Sequence, residues 1–205
     1  MVSWQHQPIS TDQADVDKGC SKLYWFCSNF FLIQPMSNFL NHLQQQIKQA
    51  NITASMPLMG ELSGLCYSNE ALLIDYTRLF AGLKAGYGPP PPYESLHCSP
   101  YRREDVITSV SAAYAAAGFG NLQYQGCPPD HIGTELRFMA MLYGMLISDK
   151  EQYNQLLKIA TDFKQQHILV WIPSYCDLLE QVAQTPFYRQ VARIVKQLLS
   201  HISSV

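Results

Sequence analysis

The sequence predicts an all-α fold, a single large bundle of about nine to eleven helices in two packed halves joined by a Pro-rich linker. Three observations predict it. No stretch alternates apolar and polar residues with period two for long enough to claim a strand. Apolar residues instead recur every three or four positions in segment after segment, each bounded by Pro, Gly or a capping residue. Finally, the stretch from Cys127 to Ser148, CPPDHIGTELRFMAMLYGMLIS, is apolar on nearly every face, which suits a helix enclosed by others.

Taken in order, residues 1–15 are polar and unpatterned and are expected to form a flexible tail. From Val16, the positions Val16, Cys20, Leu23, Tyr24, Cys27, Phe30 and Phe31 give a helix with a broad aromatic face. Pro35 ends it, and Phe39, Leu40, Leu43 and Ile47 line the next, which Pro57 breaks. A short helix is expected over Leu58 to Cys66. Ser68 or Asn69 then caps a longer one, with Leu72, Tyr76, Leu79 and Phe80 on one side and Gly86 as its stop.

Residues 86–102 open with GYGPPPPYES, where successive prolines forbid helix, so they read as a stiff linker between an N-terminal half (16–85) and a C-terminal half (103–205). Helix returns from Arg103 to Ala117. The enclosed helix, 130–148, is the expected centre of the C-terminal half. Prolines bar helix before Asp130, which is placed to cap it. Its polar tip, Asp130 and His131, is expected to stand exposed at the mouth of the core. A further helix carries Leu156, Ala160, Phe163 and His167, and Trp171 and Pro173 punctuate the next. Thr185 and Pro186 start the last, with Phe187, Val191, Ile194, Val195 and Leu198 at helical spacing.

Composition excludes several classes. Apolar residues make up 47% of the 205, charged residues only 15%, and the net charge is -2, so nucleic acid is not an expected partner. The first residues show no basic-then-apolar export signal. The longest apolar run, Phe138 to Ile147, falls short of the ~18 residues a membrane span requires, so no membrane insertion is expected. Six scattered cysteines without a C-x-x-C pair read as reduced thiols of a cytoplasmic protein.

No nucleophile and base lie at a useful spacing, so no catalytic residue is assigned and no enzyme is expected. His131 and Glu135 sit four apart, but two ligands without a third make no metal site. GYG and GFG lack the Lys and helix context of a phosphate loop. Two alternatives stay open: a small GTP-handling or hydrolytic enzyme using Asp130, His131 and Glu135, and a helical scaffold with no peptide site.

Several motifs in order resemble one family, the TorD/DmsD-type chaperones that mature molybdenum-containing oxidoreductases. They are YTRLFAG at Tyr76 to Gly82, PPYES at Pro91 to Ser95, Pro128, Asp130 and His131 leading into ELRFMAML, and H-x-x-x-W-x-P followed by P-F-Y within Phe163 to Tyr188. Cys127 stands where the family's motif usually has Glu, and His97 where a second aromatic often follows the linker.

The resemblance implies a cytoplasmic chaperone without catalysis. Such a protein binds the twin-arginine leader peptide and the body of a molybdoenzyme subunit and delays export until the cofactor is inserted. It implies no resident cofactor, although some members bind guanine nucleotides weakly, and either a monomer or a domain-swapped homodimer. Some relatives serve nitrate reductases whose leaders lack the arginine pair. On this reading Asp130, His131 and Glu94 meet the guanidiniums, whose fork suits a carboxylate. Tyr76, Leu79, Phe80 and Tyr93, with Pro128 and Ser95 beside them, take the apolar part of the peptide.

Overall fold

A computed structural model describes residues 11–36, 38–50, 57–64, 68–82, 88–120, 122–123 and 126–201. Among these there are nine α-helical spans: α1 Thr11–Leu32, α2 Phe39–Ala50, α3 Pro57–Ser63, α4 Asn69–Phe80, α5 Arg103–Ala116, α6 Ile132–Ser148, α7 Tyr153–Phe163, α8 Leu169–Val182 and α9 Pro186–His201. No strand occurs among the described residues, only an isolated bridge between Tyr93 and His131. The fold is all-α, and none of the described helices is long and apolar enough to cross a membrane.

The central helix is α6. Ile132, Leu136, Phe138, Met139 and Leu142 are fully buried, and its charged positions are buried too, with Glu135 0% and Arg137 6% exposed. The main element packed against it is α1, from the other side of the linker. Gly133 permits the contact, because a Cβ there would lie 2.5 Å from Leu32 Cγ. Ser21 Oγ donates to the Ala140 carbonyl at 2.8 Å, and Arg137 Nε donates to Ser28 Oγ at 2.9 Å. The Arg137 guanidinium also lies 3.4 Å from the centre of the Trp25 ring, so its charge is held by polar atoms and a π face together.

Several boundaries differ from expectation. The first helix already begins at Thr11, within the segment expected as a tail. Buried Asp17 accepts from Gln13 Nε2 within the helix and from the Tyr153 hydroxyl, which gives this polar stretch a tertiary partner. Residues 1–10 lie outside the described residues. Ser68 caps α4 as expected, its side chain accepting from the Ala71 N–H. That helix ends at Phe80 with Gly82 at φ +59°, however, rather than at Gly86, which lies outside the described residues.

Pro173 does not punctuate either. It sits inside α8, which runs on from α7 through a π turn, Lys164–Ile168. Proline removes one ladder bond. Trp171, Ile172, Tyr175, Cys176 and Leu179, all buried, hold α8 in place around it.

One buried carboxylate ties α4 to the start of α9. Asp75 of α4 is 1% exposed, and its Oδ2 accepts from Thr185 N–H at 2.7 Å and from Thr185 Oγ1 at 2.8 Å. Its Oδ1 accepts from Arg78 Nη2 at 2.7 Å, and the same nitrogen donates to the Val182 carbonyl at 2.7 Å. An acid from α4 thereby holds the turn that begins α9, where negative charge also suits the helix N-terminus.

Asp75→Ala leaves Arg78 and the Thr185 N–H without their acceptor in a buried place. It is expected to lower unfolding stability by about 3 kcal/mol. Urea denaturation followed by circular dichroism reads the loss as a shifted midpoint with unchanged slope.

Candidate functional site

The proline-rich segment folds back onto the start of α6 and clasps it. Its close path over α4 needs Gly88, where a Cβ would lie 2.0 Å from the Arg78 carbonyl oxygen. Around the Tyr93–His131 bridge, Glu94 N–H donates to the Asp130 carbonyl and Ile132 N–H to the Pro92 carbonyl, each at 2.9 Å. Ser95 N–H donates to Asp130 Oδ2 at 3.0 Å, and the Tyr93 and His131 rings lie 5.3 Å apart. From α5, the Tyr114 hydroxyl donates to the Pro129 carbonyl at 2.7 Å.

This clasp corrects the expectation of an exposed tip. Asp130 is 1% and His131 4% exposed, because the segment expected to stand apart as a linker covers them. The cap is His131, not Asp130: its Nδ1 accepts from Gly133 N–H at 3.1 Å. An accepting Nδ1 carries no proton, and burial pushes the imidazole down to about 4, with Asp130 only partly opposing. Asp130 Oδ1 is buried with no hydrogen-bond partner among the described residues. Pro128 is exposed, while Tyr93 and Cys127 are half-buried. Burial raises the Cys127 thiol above its ordinary range, so where the family motif has an acid this chain has a neutral group.

Glu94 and Ser95 are buried as well, at 4% and 7% exposure. Glu94 Oε2 lies 2.9 Å from His167 Nδ1, and His167 Nε2 lies 3.2 Å from Ser109 Oγ. Beside them the Trp171 indole N–H donates to Glu135 Oε2 at 3.1 Å. Burial, and then the neighbouring Glu94, push the Glu135 carboxyl well above its usual range, holding it neutral. The π turn presents His167 to this cluster. Sequence reasoning took His167 as an apolar-stripe position and missed its partner; the spacing of His167 and Trp171 on one helix face was the available signal.

The expected apolar groove is also corrected. Tyr76, Leu79 and Phe80 are 9%, 0% and 6% exposed and belong to the core. The Phe80 ring packs edge-on against Phe31 and Tyr188, and the Tyr76 hydroxyl donates to the Phe31 carbonyl at 2.8 Å. His97 stands as the aromatic its position calls for, stacked on Trp171 at 5.2 Å and edge-on to Tyr175 at 5.1 Å.

Ser109, His167 and Glu94 share the connectivity of a nucleophile, base and acid beside a cavity of about 290 Å³. Ser109 lies mid-helix in α5, however, where backbone N–H groups are spent on the helix ladder and cannot form an oxyanion hole. His131 and Glu135 do not share a metal geometry either: the first caps α6 and the second takes the indole N–H. Among the described residues no group of three His, Cys, Asp or Glu side chains could hold a metal ion.

The family model for the nitrate reductase delta subunit matches residues 36–177. The chain belongs to that family. Its members are TorD-like maturation chaperones, so the kinship expected from the motifs holds. The fold of this delta-subunit relative is similar to that of a provisionally assigned redox enzyme maturation protein from Archaeoglobus fulgidus, with a TM-score of 0.56. The two chains are 19% identical, and the likeness covers 98% of this chain and 99% of that one. No curated protein sequence matches the chain.

In the delta-family fold the His131 imidazole titrates at about 4 rather than at its free value of 6.5. Between those values the unfolded chain binds the extra proton, so this residue's contribution to stability is complete above pH 6.5 and lost as pH falls towards 4. Glu135, with its raised carboxyl, acts in the opposite sense. The His131 contribution is therefore isolated by comparison with His131→Asn, since Asn can also cap a helix. The stability difference between wild type and variant is expected to shrink by about 3 kcal/mol from pH 6.5 to pH 4, read by urea denaturation across that range.

Proposed function

We propose that this chain is a cytoplasmic chaperone for a molybdenum-containing oxidoreductase, binding the leader peptide of a client subunit and delaying its export until the cofactor is inserted. The observation that carries this reading is the family match over residues 36–177, which includes every residue of the clasp. Its geometry supports a two-step grip. Pro128, Cys127 and Tyr93 offer the accessible lip, and Asp130 lies directly beneath it. The unpartnered Asp130 Oδ1 is an acceptor whose desolvation no described group of the protein offsets. When the proline segment lifts, that oxygen can take a guanidinium of the client while Oδ2 is released from Ser95.

The family's description also favours a second reading, a nitrate-reductase-type client whose leader lacks the arginine pair. The two readings differ in what Asp130 meets. Asp130→Asn keeps an acceptor for Ser95 while removing the charge. It should therefore preserve the fold and weaken a twin-arginine leader peptide about tenfold in calorimetric titration. Wild-type affinity in the folded Asp130→Asn variant would remove the Asp130 charge from recognition. Equal binding of a leader with both arginines replaced by alanine would favour the nitrate-reductase-type client.

A further inference from the structure

A second cavity lies beside Tyr143, towards the other end of α6 from the clasp. The start of α1, the face of α7 and the π turn enclose a cavity of about 550 Å³ whose walls include Val16, Cys20, Tyr143 and Leu157. Two charged residues line it. Asp17 is 1% exposed, and its oxygens accept from Gln13 Nε2 at 3.0 Å and the Tyr153 hydroxyl at 3.1 Å, but no lysine or arginine among the described residues pairs with it. Lys164 is 7% exposed, and its ammonium forms neither an ion pair nor a hydrogen bond with the described residues. Desolvation lowers its ammonium from the ordinary lysine range, with Cys20 partly opposing.

Apart from Asp130 at the clasp, which likewise has no cationic partner among the described residues, this differs from other charged groups of the interior. Asp75 has Arg78, Glu94 has His167, and Arg137 has Ser28 and the Trp25 face. A buried ion without a counter-ion is strongly destabilising, so evolution retains one where something else completes it. Here two ions of opposite sign share one cavity, with an apolar floor that includes the Cys20 thiol. The π turn sets Lys164 there, as such turns commonly do for side chains at functional sites.

We infer that this cavity binds a small zwitterionic ligand with an apolar body, of the class of a short free peptide, its carboxylate on Lys164 and its ammonium towards Asp17. The volume lies within the range of pockets that enclose small organic ligands and exceeds what one amino acid fills. Both ends of a peptide reach one cavity only when the peptide is short and free, which excludes the terminus of a long chain. The inference is independent of the proposed client and of the clasp.

The test uses leucyl-leucine as probe on the full chain, read by calorimetry and by the chemical shifts of Tyr143 and Tyr153. Binding of the dipeptide is expected, weakened tenfold or more when its amine is acetylated and likewise when its carboxylate is amidated. Lys164→Met should lose the dipeptide to the same extent while the protein becomes more resistant to urea, since an unpaired buried charge is gone. Asp17→Asn, whose amide oxygen keeps the acceptor for Gln13 while its NH2 can donate to the Tyr153 hydroxyl, should lose discrimination against the acetylated peptide. No binding of the free dipeptide at millimolar concentration, undiminished affinity for either blocked form, or wild-type affinity in a folded Lys164→Met protein would each overturn the assignment.

Discussion

The structure depends on a short stretch of backbone pairing, the contact of residues 92–95 with residues 130–132. Two main-chain bonds and one carboxylate bond close it. Those bonds fix the entry of α6, and α6 is the surface on which α1 and α7 pack. Prolines make the pairing specific. A segment in which most N–H groups are missing can join a partner strand only where donors remain, and here that is at Glu94 and Ser95. The pairing thus ends after a single bridge and never grows into a sheet.

Helix positions were legible in the sequence because each is set by neighbours a few residues away. Ser68 caps α4, and the apolar spacing of Phe187 to Leu199 produces a face of α9 that is wholly buried. The enclosure of α6 was legible for the same reason, as its composition leaves no polar face to turn outward. What covers the tip of α6 was not legible. Asp130 and Ser95 are 35 residues apart, and nothing local to either says that one accepts from the other. Composition made the proline run look like a tether, since stiffness is visible in sequence while docking is not. Likewise Glu94 and His167 look like a surface acid and a stripe residue until the fold sets them 2.9 Å apart.

The same distinction explains Pro173. Read locally, Trp171 and Pro173 punctuate the helix that carries them. In the fold, α7 and α8 form one continuous rod whose irregularity comes earlier, in the π turn at Lys164–Ile168. An extra residue in that turn changes the angular phase of the helix beyond it. Lys164 consequently lines the cavity beside α1, while His167, three residues later, reaches Glu94 and Ser109 across from α5. One backbone irregularity serves two polar environments that a regular helix would present differently.

A joint built from hydrogen bonds rather than apolar side chains has a consequence for how it can yield. Each main-chain bond exchanged for water changes stability by only about 1 kcal/mol, whereas lifting a buried aromatic exposes surface worth about 2 to 3 kcal/mol. The clasp places its bonds in front and its aromatic packing behind: Tyr93 is only half-buried, but Tyr114, Phe138 and Phe163 lie in contact beneath α6's first turns. Opening this joint also breaks the buried Glu94–His167 contact, while the aromatic contacts beneath α6 are made by residues outside 92–95. His131 keeps its cap within α6 on either side of that change, since its Nδ1 bond is to Gly133 of the same helix, but the burial that lowers its imidazole is lost with the segment. Asp130 is different, because the Ser95 N–H that donates to its side chain departs with the segment. On the proposed reading, lifting the proline segment would strip this carboxylate of that internal donor, which is the physical condition for a guanidinium from another chain to compete for it.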